Sequence, residues 1–132
     1  MNELKGTIKE IRSQGTLSLA SVQVGGFNLK AIIIDTPESA GYLEEGKAVS
    51  ILFKETELIL TTGTGEGISI QNRLPGKIVH IEKGKLLSRV VMEVEGSQIT
   101  AVLTTHSLDE MNLEINQDIT GLVKTNEIMI SE

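Results

Sequence analysis

The sequence predicts an all-β protein made of two tandem five-stranded barrel modules, each carrying one short helix. Three observations predict it. The 132-residue chain repeats itself at a shift of 70 positions. Its apolar residues alternate or run in short stretches divided by glycine-containing turns. Each repeat also holds one brief helical signal after its third strand-like stretch.

The repeat spans both halves. Asn2, Leu4, Gly6, Ile8 and Ile11 fall on Asn72, Leu74, Gly76, Ile78 and Ile81. Gly26 falls on Gly96, Ala31-Ile32-Ile33 on Ala101-Val102-Leu103, and Leu52-Phe53-Lys54 on Leu122-Val123-Lys124. Glu57-Leu58-Ile59-Leu60 matches Glu127-Ile128-Met129-Ile130, and a slip of one residue is needed near Gly15 and Gly84. Generic β-patterning accounts for the apolar matches but not for the glycines, Asn2/Asn72 or Lys54/Lys124. The expected division is a first module at 1–62, a linker at 63–67 and a second module at 68–132. The Gly/Thr stretch Thr61–Gly67 is followed by no Gly-Lys-Ser/Thr and fits no dinucleotide fingerprint, so it reads as a flexible connection.

In the first module the strand signals are Thr7–Ile11, Leu17–Val24, Lys30–Ile34 and Ala48–Phe53. In the second they are Lys77–Ile81, Leu86–Val94, Gln98–Leu103, Ile119–Val123 and Ile128–Ile130. Asp35-Thr36-Pro37-Glu38-Ser39 has a capping group followed by proline, which suits the first turn of a helix. Thr105–Met111 is the counterpart, with acids expected in its first turn. Five strands with a helical turn between the third and fourth suggest an OB-like barrel. A unit of this size buries only about 60% of its unfolded surface, so packing between modules or subunits must add to it. A homo-oligomer, a trimer or another multimer, is expected.

Composition removes several classes of function. There is no cysteine, hence no disulfide framework, Cys-ligated zinc or thiol nucleophile. A net charge of −6 with three aromatic residues offers neither the field nor the stacking platform of a nucleic-acid binder. No apolar run suggests a membrane span and no leader is apparent, so a cytoplasmic location is expected. His80 and His106 have no partner at metal-ligand or general-base spacing, and no nucleophile elbow occurs. No catalytic or metal site is expected, and no enzyme.

Three segments carry a different chemistry: Ser69-Ile70-Gln71-Asn72-Arg73 before a strand, Thr104-Thr105-His106-Ser107 at a strand-to-helix junction, and the Lys124-Thr125 turn. Together they resemble the TOBE modules of molbindins, small bacterial proteins that bind molybdate or tungstate. The resemblance covers nearly the whole chain, closely in the second module and more loosely in the first. It implies an OB-like fold, oligomeric assembly, and oxyanion sites where modules meet, with molybdate or tungstate held as the intact ion and no organic cofactor. A tetrahedral dianion offers only acceptors, so its site must supply hydroxyls, amides and cations. Thr104 and Ser107 place hydroxyls at a helix start, Lys124 adds charge, and Thr125 adds an amide and a hydroxyl.

The family commonly shows Ser-x-Arg-Asn before the first strand. Here Ser69 and Asn72 match, but Gln71 stands at the arginine position and Arg73 lies two residues on, where strand alternation returns it to the same face. In the first module Met1-Asn2 begins too late for that motif. Ile34 and Pro37 replace Thr104 and Ser107, and Glu55 follows Lys54 where Thr125 follows Lys124. The first module is therefore expected to complete the assembly and contribute little beyond Lys54. The expected function is storage, buffering or homeostasis of the oxyanion. The alternative is a regulatory module of a molybdate-responsive system, without a DNA-binding or ATPase domain of its own.

Overall fold

Two long strands organise the protein in the computed structural model, which describes residues 1–132. They are β1 (Asn2–Gln14) and β6 (Asn72–Lys83). Each pairs with two partners along its length, because a bulge between Ile8 and Glu10, or between Ile78 and His80, turns the strand across the sheet. Gly6 and Gly76 sit just before these bulges. A Cβ on Gly76 would come 2.2 Å from the Glu93 carbonyl oxygen, and one on Gly6 would come 2.7 Å from that of Gln23. Only glycine permits so close an approach of neighbouring backbone. The repeat keeps these glycines for that reason.

The first sheet contains β1, β2 (Leu17–Val24), β3 (Phe27–Ile33) and β4 (Ala48–Phe53). The second contains β6, β7 (Leu87–Val94), β8 (Ser97–Thr104) and β9 (Asp118–Val123). The fifth strands are exchanged. β5 (Ile59–Thr61) pairs with β9, and β10 (Met129–Ser131) pairs with β4. The sheet orders are β10-β4-β1-β2-β3 and β5-β9-β6-β7-β8, antiparallel throughout. Each half of the sequence supplies four strands to one sheet and one to the other. A 3₁₀ turn makes each crossing, Glu55–Glu57 before β5 and Thr125–Glu127 before β10.

The exchange gives the two barrels one continuous apolar core, running through Leu4, Ile51 and Phe53 on one side and Leu74, Ile78 and Val123 on the other. Asn2 and Asn72 reinforce the join. The Asn72 side chain accepts from the Lys30 amide at 2.7 Å and donates to the Lys30 carbonyl at 2.9 Å. Asn2 does the same to Thr100, at 2.8 Å in both directions. A carboxamide carries the same donor and acceptor as a peptide unit, so each asparagine satisfies the outward edge of a strand in the opposite barrel.

Two details differ from the sequence reading. The frame of 70 runs without slipping, since β2 and β7 begin at Leu17 and Leu87. Only the glycine moves within the preceding turn. The expected first-module helix is also absent. Asp35–Ser39 forms a single turn, closed by Ser39 and Ala40 amides on the Thr36 carbonyl and capped by a Thr36 amide-to-Ser39 hydroxyl bond. Pro37 suits the start of that turn, but Gly41 follows it closely, and Ile34 offers no capping oxygen where Thr104 does. The fold therefore has one α-helix, α1 (Thr105–Met111), and no helix long and apolar enough to cross a membrane.

Candidate functional site

Thr104 ends β8 and caps α1. Its hydroxyl accepts from the Ser107 amide at 3.1 Å and donates to the Ser107 hydroxyl at 3.0 Å. Both residues are exposed. With Thr104 donating, the Ser107 O–H retains its own proton for an acceptor. Asn112, in the left-handed conformation at φ 51°, closes the helix after seven residues. Asp109 and Glu110 fall beyond the first turn, contrary to the sequence expectation.

Behind this cap, buried Thr105 fixes the junction. Its hydroxyl donates to the Gly84 carbonyl at 2.9 Å and lies 2.7 Å from that of Ser88. Its amide donates to the Leu86 carbonyl at 2.8 Å. Thr105→Val is expected to cost about 1–3 kcal/mol, because Ser88 and Gly84 lose a buried partner. Thermal unfolding, read beside oxyanion affinity, checks this, and an unchanged midpoint would refute it. The network also means that the Thr105 and Ser107 amides are already engaged. Hydroxyls and cations, more than helix amides, remain available to an anion here.

The crossing of the chain decides what else lies nearby. The Glu55–Glu57 turn, headed by exposed Lys54, packs against β8. Thr56 and Ser107 face one cavity of about 270 Å³, with Leu58, Val102, Leu103 and Met111 among its apolar walls. Glu55 is held by Arg89, at 2.9 Å from Nη1 to Oε1 and 3.4 Å from Nη2 to Oε2.

The Thr125–Glu127 turn, headed by Lys124, packs instead against β3. Val123 pairs with Asn72, so Gln71 and Lys124 are the next residues outward along these neighbouring strands. Exposed Ser69 lies just upstream. Ile34 and Pro37 stand here in the positions of Thr104 and Ser107, beside a groove of about 420 Å³ that includes Ile32, Ile34, Tyr42, Asn126 and Met129. Burial above all, then the Asp35 and Glu132 carboxylates, pushes the Tyr42 phenol above its usual range and keeps it a neutral hydroxyl.

The predicted donors thus form two sets. Thr104, Ser107 and Lys54 are at the β8 end, while Ser69, Gln71, Lys124 and Thr125 are at the β3 end. The sequence reading took Ser107 and Lys124 as donors to one pocket across a seam between barrels; within one chain the Lys124 turn lies against β3 and not against β8. Arg73 belongs to neither set in full. It pairs with Leu122, and its Nε is buried without a partner beneath Gly65, which has φ +87° and packs on both residues. The linker therefore rests on β6 and β9 at Gly65. Neither the Thr105–Ser88 bond nor the Glu55–Arg89 pair had a sequence signal, since their partners lie 17 and 34 residues apart with no motif between them.

Comparison with known proteins bears on the family and the fold. The family model of the TOBE domain matches residues 68–130. Molybdenum-pterin-binding protein 2 of Clostridium pasteurianum is 34% identical over 64 residues, covering 48% of this chain and 94% of the relative. The chain belongs to the TOBE-domain family. Molybdenum-pterin-binding protein 1 of the same organism is 33% identical over the same length. The molybdenum transport protein ModE of Herbaspirillum seropedicae is 26% identical over 98% of this chain, which corresponds to 49% of that protein. A solved structure of the cytoplasmic molybdate-binding protein ModG, with molybdate bound, superposes with a TM-score of 0.91 at 24% identity. It covers 98% of this chain and 94% of ModG, so the two proteins share this fold.

Proposed function

We propose that the chain binds molybdate or tungstate as the intact oxyanion and serves its storage, buffering or homeostasis in the cytoplasm. It acts as a binding protein rather than an enzyme. The observation that carries this reading is the Thr104–Ser107 pair, which presents an unspent Ser107 proton at an exposed junction in a chain whose relatives are named for binding molybdenum-pterin. The sites are completed between copies of the chain. Micromolar affinity needs about −8 kcal/mol, and charge-assisted hydrogen bonds give about 1.5–3 kcal/mol each before binding costs. About half a dozen donors must converge, and each end of one chain holds only part of that number. Exposed Ile34, 78% accessible, and Met129 add apolar surface beside the β3 end for a second copy to cover.

Titration calorimetry with molybdate, tungstate and sulfate tests the reading. The first two are expected to bind at least about tenfold more tightly than sulfate, whose smaller tetrahedron leaves donors out of reach. Equal weak heats for all three would end it. A second reading is favoured by the match to ModE, which spans nearly all of this chain but half of that protein. In it the paired modules are the oxyanion-responsive part of a regulatory system. Oxyanion-dependent capture of a regulator or transporter would favour the second reading over storage.

A further inference from the structure

Glu55 presents a difficulty at the β8 end. It occupies the position that Thr125 holds in the other turn, and a carboxylate repels the anion that Thr104, Ser107 and Lys54 are suited to receive. Its partner resolves the difficulty. Arg89 on β7 makes a two-pronged contact with Glu55, and its counterpart in the repeat, Leu19, has no charge. Both members of the pair are therefore peculiar to this end. Arg89 is directly opposite Val102 in the β7–β8 ladder, so the two side chains share a face. Val102 lines the same cavity as Ser107 and Thr56, the residue after Glu55. The guanidinium is thus fastened to the turn that forms one wall of that cavity, and the Arg89 side chain as a whole is still 46% accessible.

We infer that Arg89 is an oxyanion-binding residue of the β8 end, and that Glu55 is an internal anion that holds the guanidinium until the ligand takes its place. This rests on the oxyanion function proposed above. A guanidinium has five N–H donors, and Glu55 engages two of its nitrogens, so an arriving tetrahedral dianion can take over donors already oriented for it. The carboxylate lowers affinity by competing, and in the empty site it keeps the arginine from folding away. Selectivity follows, because the ligand must outbid a carboxylate. A dianion that reaches Ser107 and Arg89 together can do so, and a monoanion such as nitrate cannot.

Two substitutions separate this role from a structural one. If the pair merely docked the turn, Arg89→Gln and Glu55→Gln would both loosen it and shift molybdate affinity in the same direction. As a binding residue and its competitor they shift it in opposite directions. Calorimetry with molybdate on the intact chain is expected to show Arg89→Gln at least about tenfold weaker and Glu55→Gln about two- to fivefold tighter, with thermal unfolding reporting that both variants fold. Arg89→Lys is expected to fall between Arg89→Gln and the native chain, since it keeps the charge but not the fork. Arg89→Gln within twofold of the native chain, or Glu55→Gln weaker than it, overturns the inference and leaves the oxyanion function standing. Absence of molybdate binding by the native chain overturns both.

Discussion

Asn72→Leu is expected to destabilise the protein by about 2–5 kcal/mol, a large part of the stability of a domain this size. Asn72 has no accessible surface, and both ends of its carboxamide bind Lys30 of the opposite barrel. Leucine keeps the branched four-atom skeleton with bulkier methyl groups, so no cavity forms and the cost is that of the lost hydrogen bonds together with some crowding. Because Asn72 takes both the N–H and the C=O of Lys30, those groups face away from β2, and no other strand covers them. Leucine would leave them buried and unpaired. Asn72→Asp is expected to cost at least as much, since it loses the donor and buries a charge. Urea denaturation provides the measure. A change below about 1 kcal/mol would mean that water replaces the carboxamide and that the exchange of strands alone holds the barrels together.

These asparagines show how far the sequence could be read. Their recurrence at a shift of 70 was visible, and so was the fact that β-patterning did not explain it. What they bind was not visible, because the partners Lys30 and Thr100 lie 42 and 98 residues away. Gly6 and Gly76 are similar. The repeat marked them, but the approach of the Gln23 and Glu93 carbonyls that requires them is tertiary. Strand positions were legible because apolar alternation is local. The partner of the last strand was not. Ile59–Thr61 and Met129–Ser131 are three residues each, too short for their own pattern to choose between two sheets that resemble one another. The choice lies in the direction of the preceding 3₁₀ turn, and it moves Lys124 and Thr125 away from Thr104 and Ser107. The chemistry of the donors could be read from residue types, whereas their grouping depended on that turn.

The grouping leads to the second large effect. Ser107→Ala with Lys124→Ala in one chain is expected to weaken molybdate binding about a hundredfold, from a neutral hydroxyl bond and a charge-assisted one lost together. The informative experiment uses the two single variants. Within one chain Ser107 is at the β8 end and Lys124 at the β3 end, so a site holding both must draw them from different copies. Each single variant assembled alone then has every site damaged, by about fivefold for Ser107→Ala and more for Lys124→Ala. When the two are unfolded, mixed in equal amounts and refolded, some junctions set the intact Ser107 of one copy against the intact Lys124 of the next. Random assembly makes that about a quarter of the junctions, and another quarter carry both losses. Calorimetry of the mixture is expected to resolve a native-affinity fraction that neither variant shows alone. If the sites were complete within single chains, each variant alone would keep its undamaged end at native affinity, and mixing would only average the two isotherms without adding a tight fraction. That outcome would leave molybdate binding intact while removing the sharing of sites, and each end would then have to find its remaining donors within its own barrel.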